Sequence, residues 1–239
     1  MRNRIRLLLG VAVVLAVASL AAPVTTPSAA ATTAEIHLDG VAVQLPAGSR
    51  QVVTVNHTRG YHARVTLWRK AAGTWTRVAR AHDARTGYGG LVAADQRRQG
   101  TGTTPLGTFG LTSAFGRHAR HTGWDLPYRR IRCGDYWVED NDSAYYNRYR
   151  NKARGGFRWW LATSNTNSSE RLADFPRQYE YSIVTDFNAD QVRYRGAGIF
   201  LHVNCDGATA GCVSAPRWFL RRTLAVLRPT LHPVMAVGR

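Results

Sequence analysis

A thiol and an imidazole ten positions apart, Cys212 and His202, are the residues of this 239-residue chain best placed to do chemistry. They belong to the run Gly198-Ile-Phe-Leu-His202-Val-Asn-Cys-Asp-Gly-Ala-Thr-Ala-Gly-Cys212-Val-Ser214. A free thiol has a pKa of about 8.5 and is only a few per cent thiolate at neutral pH. A neighbouring imidazole can take its proton and then stabilise the thiolate as imidazolium. Gly211 adds a second element, because an amide with no β-carbon beside it can approach a reacting carbonyl closely. The amides of Gly211 and Cys212 are therefore candidate donors to a developing oxyanion. Taken singly, a cysteine in an exported protein is usually a disulfide partner, and a histidine at a strand end a packed side chain. The joint placement around a glycine-rich return is what points to nucleophilic catalysis.

Positioning these groups requires a strand, a sharp return and a second element. The apolar run Ile199-Phe-Leu201 reads as a buried strand ending in His202, and Gly207 and Gly211 let the backbone turn back. After Cys212, Ser214 is a candidate helix cap with Pro216 in the first turn. Leu220, Leu224 and Leu227 recur at helical spacing and Pro229 stops the helix. Its N-terminus, just beyond the thiol, is expected to favour thiolate and oxyanion. Asn204 and Ser214 flank the pair as candidate substrate contacts.

These residues resemble the catalytic domain of the L,D-transpeptidases, peptidoglycan-remodelling cysteine enzymes. The resemblance is carried by Ile199-Phe-Leu-His202 followed by Ala208-Thr-Ala-Gly-Cys212-Val. It extends to Arg98-Gln-Gly-Thr-Gly-Thr-Thr-Pro105-Leu-Gly107-Thr-Phe109, similar to the family's Thr-Pro-x-Gly-x-Phe element. Segments beginning at Asp135-Tyr-Trp-Val and Ala173-Asp-Phe-Pro resemble intervening parts of one branch, so the likeness covers residues 51–239. Many members have Ser-His-Gly-Cys where this chain has Ala210-Gly-Cys212, and their histidine-to-cysteine gap is longer. The resemblance implies a mainly β, mixed sandwich-like domain with few short helices. It implies Cys212 as nucleophile on peptidoglycan stem peptides, His202 as base and then acid, and no metal or organic cofactor. A backbone carbonyl, rather than an acidic third member, would orient the histidine.

Residues 1–31 read as a cleaved secretory signal, with Arg2, Arg4 and Arg6 before an apolar run and Ala29-Ala-Ala31 as cleavage site. The rival reading, a membrane anchor, fits less well, because a spanning helix wants about 20 apolar residues. Residues 32–239 then form one catalytic domain, secreted or wall-associated and expected to be monomeric. Net charge is +17, and the three arginines of the leader leave +14 for the rest. Such a surface suits anionic cell-wall polymers. Nucleic acid would suit the charge equally, but export argues against it.

The remaining segments read as follows. Arg64-Val-Thr-Leu-Trp-Arg69 and Thr74-Trp-Thr-Arg-Val-Ala79 form a hairpin, and residues 97–109 a loop feeding a strand, for which the family resemblance implies a cleft-forming role. Glu139-Asp-Asn-Asp142 reads as a solvated turn, Glu170-Arg-Leu-Ala173 as a short helix. Tyr181-Ser-Ile-Val-Thr185, Gln191-Val-Arg-Tyr-Arg195 and Val234-Met-Ala-Val237 read as strands. His118 and His121 lack the partners a zinc site needs. Cys133 and Cys205 either pair with each other, leaving Cys212 free, or Cys205 bonds Cys212 and silences it. A catalytic Cys212 is expected to alkylate readily at neutral pH while the other two do not. The alternative to an enzyme is a non-catalytic wall-binding protein whose Cys212 is inert.

Overall fold

The computed structural model describes residues 33–239, so the signal-peptide expectation for residues 1–31 lies outside the described residues. The described residues begin with two hairpins built from β-branched, alternating segments. Strands β1 (Ala34–Leu38) and β2 (Val41–Leu45) are joined by Asp39-Gly40, both at positive φ. After β3 (Gln51–Arg59) come β4 (His62–Ala71) and β5 (Thr74–Arg85), joined by Ala72-Gly73, again both at positive φ. Two-residue loops of this handedness match the twist of antiparallel strands. Next are β6 (Leu91–Ala93), the long β7 (Thr104–Gly116) and β8 (Tyr128–Arg130). A small sheet follows from β9 (Asp135–Trp137), β10 (Tyr149–Asn151) and β11 (Glu170–Arg171), with β9 in the middle. The chain closes with β12 (Tyr181–Thr185), β13 (Phe200–Val203), β14 (Val213–Ala215), helix α1 (Arg217–Val226) and β15 (Val234–Gly238).

The main sheet runs β12-β13-β14-β5-β4-β3-β15-β7, and β7 pairs again with β12, so the sheet closes on itself. Strands β6 and β8 add to β7. Parallel pairings β13–β14 and β3–β15 make the sheet mixed. The fold is thus mainly β with few helices, as the sequence pattern predicts. One large apolar cluster joins Val53, Leu67, Leu111, Ile183, Leu201 and Val213 to the buried face of α1, Phe219, Leu220 and Leu224. A second holds Phe115, Trp137, Tyr179 and Phe200 in edge-to-face contacts. Trp68 and Trp75 pack on a third cluster under β1 and β2, consistent with a packing role.

Four local expectations fail for physical reasons. Ser214 does not cap α1: it lies within β14, and Pro216 occupies the cap position with no side-chain bond to the helix. Residues 191–195 are turns, with Gln191 and Tyr194 at positive φ, because Asn188 bonds the carbonyls of Val192 and Gly196 and holds the loop closed. Glu170 pairs with Trp137 as a short strand, and only Leu172–Asp174 turns helically. The run 139–142, expected as a solvated turn, is solvated mainly at Asp142. Asp140 is buried against the Arg158 guanidinium, and Asn141 is buried among Gln99, Asn167 and the Tyr194 amide.

Candidate active site

Strands β13 and β14 run parallel with Leu201 opposite Val213 and His202 opposite Ser214. Side chains alternate along strands, so each strand serves two faces. Leu201, Val203, Val213 and Ala215 enter the large apolar cluster. Phe200, His202, Cys212 and Ser214 take the other face, where the last three line a cavity of about 590 Å³. The remaining walls include Arg97, Glu139, Glu170, Tyr179 and Trp159.

Cys212 is partly buried at the cavity wall. Its S–H donates to the Gly198 carbonyl at 3.1 Å, and its sulfur accepts from the Phe200 amide at 3.4 Å. Desolvation, reinforced by the Glu170 charge, pushes the thiol up to about 12. His202 is 6% exposed. Its Nδ1 lies 2.9 Å from the Val203 carbonyl, which can only accept, so Nδ1 carries the proton and Nε2 presents a lone pair. Burial lowers the imidazole to about 4. The Tyr179 ring stands perpendicular to it at 5.7 Å. In register on either side lie Ser182 and Ser214, whose buried hydroxyls have no hydrogen-bond partner. In the resting state, then, a neutral thiol and a neutral imidazole share the cavity, rather than a preformed ion pair.

The return that carries the thiol is locked by threonines. Thr209 Oγ1 accepts from the Gly211 amide at 3.2 Å and donates to the Cys212 carbonyl at 2.6 Å. Thr104 Oγ1 donates to the Gly211 carbonyl at 2.8 Å. Gly211 has φ +128°, and a Cβ there would lie 2.9 Å from both the Thr103 carbonyl and Arg97 Nη2. A glycine is therefore required, as the sequence suggested. Its N–H, however, is occupied by Thr209.

The other candidates divide. Ser214 lines the cavity, whereas Asn204 turns away and donates to the Asp83 carbonyl at 2.6 Å. Cys133 and Cys205 do not form the expected disulfide: all three cysteines are free, with Cys133 exposed. Cys133 is thus the exposed thiol, while burial raises the Cys212 thiol. Helix α1 begins five residues past the thiol, with β14 between them, and buries its apolar side in the cluster that Cys212 does not join.

Sequence reasoning missed the polar walls. Glu170 lies on β11 opposite Trp137, and Glu139 lies two residues past the end of β9. Tyr179 donates to Glu170 at 2.7 Å. Desolvation, and for Glu139 the neighbouring Glu170 charge, raise Glu139 to about 8 and Glu170 to about 7. Arg97, also missed, is 4% exposed. Its only sequence signal was its place at the head of the glycine- and threonine-rich loop, which does form part of the cavity.

No family model matches the chain, and no curated protein matches it in sequence. Among solved structures it is similar to the helical cell shape determining protein Pgp2 from Campylobacter jejuni. That match has 12% identity over 80% of this chain and 47% of the other, with a TM-score of 0.43. It is also similar to Bdellovibrio bacteriovorus Bd1075, at 11% identity over 80% of this chain and 48% of that one, with a TM-score of 0.39. The chain spans about half the length of each. Neither likeness says what this chain acts on.

Proposed function

We propose that this protein is an exported cysteine acyltransferase of the L,D-transpeptidase type, acting on peptidoglycan stem peptides. The observation that carries the reading is the shared face of β13 and β14, which turns Cys212 and His202 into one cavity. The tautomer of His202 supports it, because the Val203 carbonyl holds the proton on Nδ1 and leaves Nε2 as base. An acidic third residue is not needed for that.

In the reaction, Cys212 passes its proton to His202 Nε2 in concert with attack of the sulfur on the donor carbonyl, so no free thiolate–imidazolium pair has to accumulate. The tetrahedral intermediate collapses, the C–N bond breaks and the leaving D-amino acid amine takes the proton from His202. A thioester on Cys212 remains. An acceptor amine then attacks it, forming an amide and returning the thiol, which yields a 3→3 crosslink. Water in place of the amine yields L,D-carboxypeptidase trimming. The resting neutral pair suits this cycle, since the thiolate forms only where a carbonyl is present to consume it. The basic surface fits association with anionic wall polymers.

The test is mass spectrometry of a disaccharide tetrapeptide incubated with wild type and with Cys212→Ala. Dimer, or loss of D-alanine, only with wild type is the expected result. Binding to the wall polymer with no turnover by either protein would instead identify a non-catalytic wall-binding protein.

A further inference from the structure

Arg97 is a buried cation with no ion pair among the described residues. Such burial is costly unless an opposite charge is present for at least part of the working cycle. Two main-chain carbonyls fix the guanidinium: Nε donates to Thr103 at 3.0 Å and Nη1 to Arg195 at 3.1 Å. Two glycines are kept bare to admit it. A Cβ on Gly196 would lie 1.4 Å from Nη1, and one on Gly211 would lie 2.9 Å from Nη2. Nη2 therefore borders the turn that carries the thiol and has no hydrogen-bond partner among the described residues, and Arg97 lines the same cavity. Meanwhile one of the two donors the sequence suggested, the Gly211 amide, is taken by Thr209, which leaves the Cys212 amide as the other.

We propose that Arg97 Nη2 is an oxyanion donor of this site, receiving the negative oxygen that forms when Cys212 attacks a carbonyl. The assignment rests on the acyl-transfer reading but not on the identity of the acyl group. The guanidinium geometry suits it: Nε and Nη1 are spent on fixed carbonyls, so the remaining nitrogen is held in place without reorganisation. Among the charges around Arg97, the anionic form of Cys212 does most to favour its protonated state. The same nitrogen could serve the thiolate, so the test separates the two.

The experiment compares two modifications of Cys212 in a Cys133→Ser/Cys205→Ser background, each read by peptide mapping. Acylation by p-nitrophenyl acetate passes through an oxyanion, whereas alkylation by iodoacetamide does not. Both need the thiolate, so their rate ratio cancels any effect on thiol ionisation. In Arg97→Gln the ratio of acylation to alkylation is expected to fall about 100-fold, the scale for loss of one oxyanion donor. An unchanged ratio, with both rates falling together or neither moving, overturns the assignment. It would also be unchanged if Arg97 only held a substrate carboxylate, since acetate ester has none. If Arg97→Gln does not fold, Arg97→Lys carries the test, because it keeps the cation and loses the fork. A fall of at least about tenfold is then expected, and an unchanged ratio again overturns it. A wild type that turns over no stem peptide but shows the Arg97-dependent ratio would sink the transpeptidase reading alone.

Discussion

The two faces of β13 and β14 are built on opposite terms. On one, Leu201 and Val213 are fully buried against the helix and the barrel-like sheet in a cluster of apolar side chains. On the other, His202, Cys212 and Ser214 sit beside a carboxyl pair, a lone guanidinium and hydroxyls without partners. Strand alternation puts these faces one residue apart. The first face stabilises the fold and the second holds groups that burial penalises. Unsatisfied buried groups and displaced pKa values are what a site carries when its partner is a transition state rather than a neighbour.

The largest expected effect comes from the polar face. Cys212→Ala is expected to reduce product formation by at least about 10⁴-fold, on the scale of losing a catalytic nucleophile, with the thermal midpoint unchanged or raised. Leu201→Ala, one residue from His202 on the other face, should instead cost about 2–5 kcal/mol in urea unfolding. Equal loss of stability from both changes would erase the distinction between the faces.

Two smaller effects depend on pH. The depressed value of His202 means the unfolded chain binds a proton that the folded chain refuses between about pH 6.5 and 4. Stability held above pH 6.5 is thus lost on acidification through that window, and His202→Gln should flatten that part of a melting-temperature profile. Glu170 behaves oppositely, since its carboxyl is raised from 4.5 to about 7. Its stabilising contribution is present below pH 4.5 and lost as pH rises through 7, so Glu170→Gln should melt higher than wild type at pH 8. Because the Glu170 charge also raises the Cys212 thiol, that variant should alkylate at Cys212 faster at the same pH. A slower rate would remove Glu170 from the account of the thiol.

Much of the stabilising face was legible in the sequence, and less of the polar one. Alternation and turn chemistry located β4, β5, β12 and β15 because Ala72-Gly73 and the β-branched runs act locally. The thiol, the imidazole and the need for Gly211 were also readable, because a glycine-rich return leaves a local pattern. Arg97, Glu139 and Glu170 were not, since their roles come from pairings such as Glu170 with Trp137, which no nearby residue encodes. The occupied Gly211 amide was hidden for the same reason: Thr209 shows as a small turn residue, not as a hydrogen-bond partner. The surplus cysteines misled because compartment chemistry suggests pairing without saying whether two side chains meet.

The most direct measurement is the intact mass of the protein, acid-quenched shortly after mixing with disaccharide tetrapeptide and no acceptor. An acyl adduct lacking D-alanine, mapping to Cys212 and strongly reduced in His202→Ala, is the predicted result. Release of D-alanine by Cys212→Ala, or an adduct mapping to any other residue, would contradict it.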